Sequence, residues 1–331
     1  MYSLYADIEP FNYFFLPVEF NPIQAQNHEL YVEQCGNPQG IPVVFLHGGP
    51  GSGCKEEHRC YFDPEVYHII LFDQRGCGRS KPLGKLLANS TIDLVNDIEL
   101  IREKLHITRW LVFGGSWGAT LGLLYSQSHN DRVLGLILRG VFLARNEDID
   151  WVYGDKGAAR IFPDAWSKLI EDLPLTNQTK LLSIIYQQLT STDDEQSTRM
   201  FNKLQQWEST IVAVRQDNVK NTTANEKENS FVSEEQKAAS IIQLYYSLNL
   251  CFIDKTPILE NTNAIQNIQT TIIHGRYDTV CPVEQSWLLS EKMPESELNI
   301  IPLAGHAANE PAIVDALIAA TISFSQGYYK K

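Results

Sequence analysis

The sequence lacks the features that mark membrane, exported or nucleic-acid-binding proteins. None of its 331 residues belongs to an apolar run long enough to span a bilayer. The N-terminus has no basic leader before an apolar core, so we expect no export. Lysine and arginine number only 27 against 40 acidic residues, and the net charge of −13 disfavours nucleic acid and anionic lipid as partners. We therefore expect a cytoplasmic protein that binds neither, with some preference for cationic ligands such as peptide amines.

Paired cysteines are also absent. The six cysteines are scattered along the chain, at Cys35, Cys54, Cys60, Cys77, Cys251 and Cys281. No CxxC pair or histidine cluster accompanies them, so neither a zinc site nor a disulfide framework is expected. We predict reduced thiols, no metal and no other cofactor.

Short apolar runs alternate with amphipathic ones in the first 145 residues, as in a parallel sheet covered by helices. Residues 42–46 (PVVFL) and 67–72 (YHIILF) predict buried strands. Residues 91–105 predict a crossover helix that begins with a capping box of Ser90 and Asp93. Strand, helix and strand signals follow in RWLVFGG, WGATLGLLYSQSH and VLGLILRG. The sequence thus predicts an α/β fold with a mostly parallel central sheet.

Helical patterns replace this alternation from about residue 146 to residue 256, in segments such as TKLLSIIYQQL, RMFNKLQQWESTIV and QKAASIIQLYYSLNL. The polar stretch 215–230 predicts an exposed loop between two of these helices. Strand signals return in TTIIHG and LNIIPLAGH, and AIVDALIAATISF predicts a closing helix. We predict an α/β domain of residues 1–145 and 257–331, interrupted by a helical domain of residues 146–256.

One glycine-flanked serine lies where a buried strand should end. Gly114-x-Ser116-x-Gly118, between a predicted strand and a predicted helix, has the pattern of a nucleophile elbow. Such a turn needs small residues around the serine and exposes its hydroxyl near the free N–H groups of the following helix. The five residues alone fit a Gly/Ser turn without chemistry about equally well. Ser116 is therefore a candidate nucleophile whose partners must be sought elsewhere.

A serine nucleophile needs a histidine base and an acid that orients the base. Asp278 follows the predicted strand TTIIHG, and His306 follows the predicted strand LNIIPL. The chain order Ser, Asp, His and the positions after strands are those of the elbow architecture. We predict that Ser116, Asp278 and His306 form a catalytic triad.

Acyl transfer also needs two N–H donors for the developing oxyanion. The backbone N–H of Trp117, directly after the serine, is one candidate, and that of Gly49 in the loop HGGPGSG is the other. A phosphate cradle is the rival interpretation of this loop, but the loop lacks the GK[ST] ending of a P-loop.

Together, the segments HGGPGSG, FDQRGCGRS, VFGGSWGATL, LRGVF, HGRYDTVCP and GHAANEP resemble the proline iminopeptidase (prolyl aminopeptidase) family over nearly the whole chain. The resemblance implies an α/β-hydrolase fold in which the inserted helices form a cap over the active site. It implies that Ser116, Asp278 and His306 are the triad. The implied reaction releases N-terminal proline from short peptides through an acyl-enzyme, without a metal.

The resemblance also implies carboxylates in the cap that bind the substrate's free amine. Glu208 lies in QQWES, which matches the family's Trp-Glu element. Gln243 stands where the family carries a second glutamate, and a glutamine accepts a hydrogen bond but supplies no charge. We expect weaker amine binding or a broader substrate preference from this departure.

Four further residues are candidates for substrate binding. Phe142, Trp151 and Tyr153 are expected to line an apolar slot for the proline ring, although each aromatic side chain could instead pack within the cap. Arg139 of LRGVF is interpreted as an anchor for cap carboxylates.

Two alternatives to an aminopeptidase remain open at this point. An esterase or amidase could use the same triad beneath a repurposed cap, since the GxSxG pattern is shared by many hydrolases. The chain could also be a non-catalytic binding protein on this fold. A complete set of triad and oxyanion candidates argues against the second alternative.

Overall fold

A computed structural model of the protein describes residues 8–19, 27–174, 180–212, 233–253 and 257–329. The strands are β1 (Pro10–Glu19), β2 (Asn27–Gly36), β3 (Ile41–Leu46), β4 (Tyr67–Phe72), β5 (Trp110–Gly115), β6 (Val133–Arg139), β7 (Thr270–Gly275) and β8 (Ser296–Ile301). The α-helices are α1 (Thr91–Lys104), α2 (Trp117–Ser128), α3 (Asn146–Tyr153), α4 (Pro163–Ile170), α5 (Leu181–Leu189), α6 (Asp194–Val212), α7 (Glu234–Leu248), α8 (Glu284–Lys292) and α9 (Pro311–Tyr328). The predicted loop at 215–230 lies outside the described residues.

The strands form one sheet in the order β1-β2-β4-β3-β5-β6-β7-β8. The β1–β2 and β2–β4 pairs are antiparallel, and all pairs from β4 to β8 are parallel. Successive side chains of a strand point to opposite faces. Val44 therefore packs in the core beneath α1 and α2, whereas Phe45 packs in the core beneath α9. The predicted α/β fold with a mostly parallel sheet is confirmed.

Several predicted elements match the observed ones closely. The runs at 42–46 and 67–72 form β3 and β4, and the predicted crossover helix is α1. Its capping box is present, because the backbone N–H of Ser90 donates to Asp93 Oδ2 (2.9 Å). The sequence analysis assigned no strand before residue 42, where the structure has β1 and β2.

The described chain between β6 and β7 contains five α-helices, α3 to α7, which we call the helical segment. The segment has its own apolar core, which includes Leu169, Ile185, Leu204, Trp207 and Leu244. Trp166 packs edge-on against Trp207, with ring centroids 5.2 Å apart. Within the described residues, no helix of the protein is both long enough and apolar enough to cross a membrane.

Candidate active site

Ser116 occupies the sharp turn between β5 and α2. Its backbone has φ of 56° and ψ of −123°, a conformation that is unusual for a residue with a side chain. A Cβ atom on Gly114 would lie 2.2 Å from the carbonyl oxygen of Gly118, and one on Gly118 would lie 2.0 Å from that of Leu46. Both positions therefore require glycine, and the turn presents the serine hydroxyl at the carboxyl end of the sheet.

Three loops bring the predicted triad residues together. His306 Nε2 lies 3.1 Å from Ser116 Oγ, and His306 Nδ1 lies 2.6 Å from Asp278 Oδ2. The other carboxylate oxygen of Asp278 accepts the backbone N–H groups of Val280 (3.0 Å) and Cys281 (2.8 Å). The serine, the ring and the carboxylate thus form a continuous hydrogen-bonded chain.

The pKa shifts within the triad favour a neutral histidine, His306, beside an ionised carboxylate, Asp278. Burial alone would raise the pKa of Asp278, but the charge of His306 and hydrogen bonds from His274 and His306 hold it well below its usual range. Burial lowers the pKa of His306, and the carboxylate of Asp278 offsets only part of that shift. The imidazole is therefore uncharged and able to accept a proton near neutral pH.

Arg139 at the end of β6 has a partner different from the predicted one. Its Nη1 atom donates to the backbone carbonyl of His306 (2.9 Å). Its guanidinium also packs against Gly115, where a Cβ atom would lie 2.6 Å from Nη2. In the structure this cation supports the loop that carries His306, and within the described residues it forms no ion pair with a carboxylate of the helical segment.

The glycine-rich loop after β3 lies against the serine turn. A Cβ atom on Gly48 would lie 3.6 Å from the Cβ of Ser116, and Gly49 has a φ of 112° that favours glycine. Trp117 is the first residue of α2, where backbone N–H groups have no acceptor within the helix. Both predicted oxyanion donors therefore belong to segments that adjoin Ser116, one in the loop packed against it and one at the start of the following helix.

Glu208 of α6 forms a partly buried polar cluster with neighbouring helices. Its Oε1 atom accepts hydrogen bonds from Gln243 Nε2 of α7 (2.8 Å) and from the Tyr153 hydroxyl of α3 (3.4 Å), and its Oε2 atom accepts from Gln205 Nε2 (3.2 Å). Gln243 Nε2 also donates to the Tyr153 hydroxyl (2.9 Å). Burial raises the pKa of Glu208 to about 7, and these hydrogen bonds offset only part of that rise.

Glu208 accepts hydrogen bonds from three neutral side chains. None of these three side chains neutralises the negative charge of the carboxylate. Each of those side chains, Tyr153, Gln205 and Gln243, donates an O–H or N–H group without carrying a positive charge. Such a carboxylate is suited to an incoming ammonium group.

The helical segment is attached directly to the loop of Asp278. The indole N–H of Trp151 donates to the carbonyl of Thr279 (2.9 Å), and the Thr279 hydroxyl donates to the carbonyl of Ile211 in α6. Ile211 lies one helical turn after Glu208. These contacts place the Glu208 end of α6 above the triad.

The glycine-rich loop contacts the same segment from the other side, because a Cβ atom on Gly51 would lie 2.6 Å from the carbonyl oxygen of Ala239 in α7. Ala239 lies one turn before Gln243. Phe142, after β6, packs against both the sheet core and the core of the helical segment. The helical segment therefore contacts both the loop of Asp278 and the glycine-rich loop.

Two polar residues at the site received no functional role in the sequence analysis. His274 is fully buried, and its Nε2 atom lies 2.8 Å from the carbonyl of Cys281 and 3.3 Å from Asp278 Oδ2. Gln74 hydrogen-bonds to both loops that carry the oxyanion candidates. The available signal was their position within the motifs HGRYD and FDQRG, but motif membership does not reveal the partner of a side chain.

Comparisons with known proteins agree with this geometry. A family model described as alpha/beta hydrolase fold matches residues 41–312. A probable proline iminopeptidase of Leptolyngbya boryana is 45% identical over 98% of this chain and 97% of its own. A proline iminopeptidase of Arabidopsis thaliana is 45% identical over 96% of this chain and 81% of its own. The solved meta-cleavage product hydrolase of Pseudomonas fluorescens IP01 has the same fold, with a TM-score of 0.59 at 19% identity over 91% of this chain and 95% of its own.

Proposed function

Because the chain belongs to the proline iminopeptidase family of α/β-hydrolases, we propose that it is a serine aminopeptidase that releases N-terminal proline from short peptides. The observation that carries this proposal is the pairing of two features. A serine, histidine and aspartate form one hydrogen-bonded chain, and a partly buried carboxylate, Glu208, lies in the helices attached to the loop of that aspartate.

In this mechanism Ser116 Oγ attacks the carbonyl of the N-terminal residue while His306 Nε2 takes its proton. Asp278 accepts a hydrogen bond from the Nδ1–H group of His306, which orients the ring, and its negative charge stabilises the imidazolium that forms. The backbone N–H groups of Gly49 and Trp117 donate to the oxyanion of the tetrahedral intermediate. His306 then protonates the leaving amine, and a water activated by the same ring hydrolyses the acyl-enzyme.

The helical segment acts as the cap domain of this enzyme, within the predicted bounds of residues 146–256 between the two parts of the α/β domain. Glu208 pairs with the substrate's ammonium group, which needs a carboxylate once it leaves water. Phe142, Trp151 and Tyr153 line the slot for the proline ring. A roofed pocket of this kind admits a chain end more readily than a folded protein, so short peptides are the substrates.

We place the enzyme in the cytoplasm, with no nucleic acid or membrane as partner. The six cysteines form no CxxC pair in the sequence, a usage typical of proteins of a reducing compartment. The net charge of −13 repels polyanions.

A comparison of substrates separates this proposal from an esterase of the same fold. Purified protein should hydrolyse a proline arylamide with a higher kcat/KM than a simple acyl ester of similar size. Cleavage of the ester without the arylamide would establish the esterase alternative. Labelling of Ser116 by an active-site phosphonate tests the non-catalytic alternative, which requires that no label forms.

Replacing Glu208 with glutamine should raise KM for a proline arylamide about 10- to 100-fold, because the amine then meets only neutral groups. Glu195→Gln is the matched control, since Glu195 lies on the same helix but is exposed and paired with Arg199. Gln243→Glu should act in the opposite direction on free N-termini and should not improve N-blocked esters. Unchanged proline arylamide kinetics in Glu208→Gln would remove this residue from amine recognition.

Activity toward free N-termini should fall as the pH drops through about 7, because the partly buried Glu208 carboxyl becomes protonated there and loses its charge. The pH profile of kcat/KM for a proline arylamide reports this ionisation in the free enzyme. The acid limb caused by His306 lies lower, because burial lowers the pKa of that ring. The limb near neutrality should disappear in Glu208→Gln and with an N-blocked ester, and its persistence in both would contradict the assignment.

A further inference from the structure

Gln74, the second residue after β4, connects the two segments that carry the proposed oxyanion donors. Its side-chain Oε1 atom accepts the indole N–H of Trp117 (2.9 Å), and its Nε2 atom donates to the carbonyl of His47 (3.0 Å). Its backbone N–H donates to His47 Nε2 (3.0 Å). All three residues are buried, so no water competes freely for these hydrogen bonds.

These bonds determine the tautomer of His47. Its Nε2 atom accepts a hydrogen bond from the backbone N–H of Gln74, so the proton of the neutral ring resides on Nδ1. That Nδ1–H donates to the carbonyl of Gly48 (2.9 Å). Complete burial lowers the pKa of His47, which keeps the ring neutral in this arrangement.

The orientation of the Gly48 carbonyl controls the direction of a donor. The peptide bond between Gly48 and Gly49 is trans, so its C=O and N–H groups point in opposite directions within one plane. Because His47 holds the carbonyl of Gly48, the N–H of Gly49 points away from the His47 ring. The loop lies against Ser116 through Gly48.

We propose that Gln74 is a positioning residue for acyl transfer, which sets the direction and separation of the two oxyanion donors. It holds the Gly49 N–H through His47 and holds Trp117 by its indole ring. Oxyanion donors stabilise the transition state only where they already point at the developing charge. The proposal rests on the proposed function, because it assumes that Gly49 and Trp117 bind an oxyanion.

A matched pair of variants separates positioning from simple loss of stability. Gln74→Leu removes the side-chain hydrogen bonds that connect His47 with Trp117. Gln34→Leu removes a second buried glutamine, on β2, whose Oε1 atom is hydrogen-bonded to Nε2 of His68 (3.0 Å). Both changes bury a leucine in place of a glutamine bonded to a histidine, but Gln34 lies outside the triad and oxyanion loops.

We expect Gln74→Leu to lower kcat for a proline arylamide about 10- to 100-fold with KM changed by less than about twofold. The Ki of the boronic acid analogue of proline, which forms a tetrahedral adduct with a serine, should rise by a similar factor. The Ki of pyrrolidine, which has the amine and ring of proline but no carbonyl or carboxylate, should stay constant, because no atom of it reaches the oxyanion donors. Gln34→Leu should leave kcat within about twofold.

Equal losses of kcat in both variants, an unchanged kcat in Gln74→Leu, or a loss confined to KM would overturn the proposal. If Gln74→Leu does not fold, Trp117→Phe removes the indole N–H while keeping an aromatic ring and the backbone N–H at that position. It should show a smaller loss of kcat with KM little changed, and an unchanged kcat would count against the proposal. Full activity of Ser116→Ala would reject the proposed function itself. An inactive Ser116→Ala beside a fully active Gln74→Leu would reject only the positioning role.

Discussion

Replacement of Ser116 by alanine is expected to lower kcat for a proline arylamide by at least about 10⁴-fold, because no other nucleophile is activated by His306 in this mechanism. The fold should be retained, since the turn depends on the glycines at 114 and 118 and on backbone geometry. Steady-state kinetics and thermal unfolding of the same preparation test both statements.

Ser126→Ala is the control for this variant. Ser126 is a buried serine of α2, and its hydroxyl donates to the carbonyl of Gly122 (2.7 Å). We expect its kcat to stay within about twofold of the parent protein. Substantial residual turnover in Ser116→Ala would show that the nucleophile lies elsewhere.

Asp278→Asn is expected to lower kcat by about 10⁴-fold with little change in KM. The backbone N–H groups of Val280 and Cys281 both donate to one carboxylate oxygen. In the variant the amide oxygen must occupy that place, so the NH₂ group faces His306 Nδ1. Nδ1 of the ring then accepts a hydrogen bond from this NH₂ group, and the ring proton lies on Nε2, which therefore cannot take the proton of Ser116.

Asp315→Asn, an exposed aspartate on α9, controls for the loss of one negative charge. The kcat of Asp278→Asn measured across the pH range distinguishes a wrong tautomer from a shifted pKa, because only the latter is rescued at another pH. A rate within about tenfold of the parent protein would remove Asp278 from the triad.

The predictable parts of the fold are those with a local signal. The buried strands β3, β4 and β5 each contain a run of apolar residues, and α1 has both helical spacing and a capping box. The strand β1 was missed because its aromatic residues do not alternate with polar ones. Its exposed face carries Phe11, Tyr13 and Phe15, so the pattern of an edge strand with one buried face is hidden.

In the candidate site, too, some features could be predicted from the sequence and others could not. The positions of Ser116, Asp278 and His306 were predictable because each follows a strand, and parallel strands bring their carboxyl ends to one edge. The partners of Arg139 and Gln74 were not, because each contact joins residues far apart in the sequence. The sequence shows that Gln243 replaces the glutamate of the family. Its hydrogen bond to Glu208 could not be predicted, because it depends on how α7 lies relative to α6.

The most direct test of the account is the ratio of kcat/KM for a proline arylamide to that for the same compound with an acetylated nitrogen, measured with the purified protein. The account predicts a ratio of at least about one hundred, because the blocked substrate cannot pair with the partly buried Glu208 carboxylate and leaves its charge uncompensated. A ratio near one, or a preference for the blocked compound, would contradict recognition of a free N-terminus and with it the aminopeptidase function.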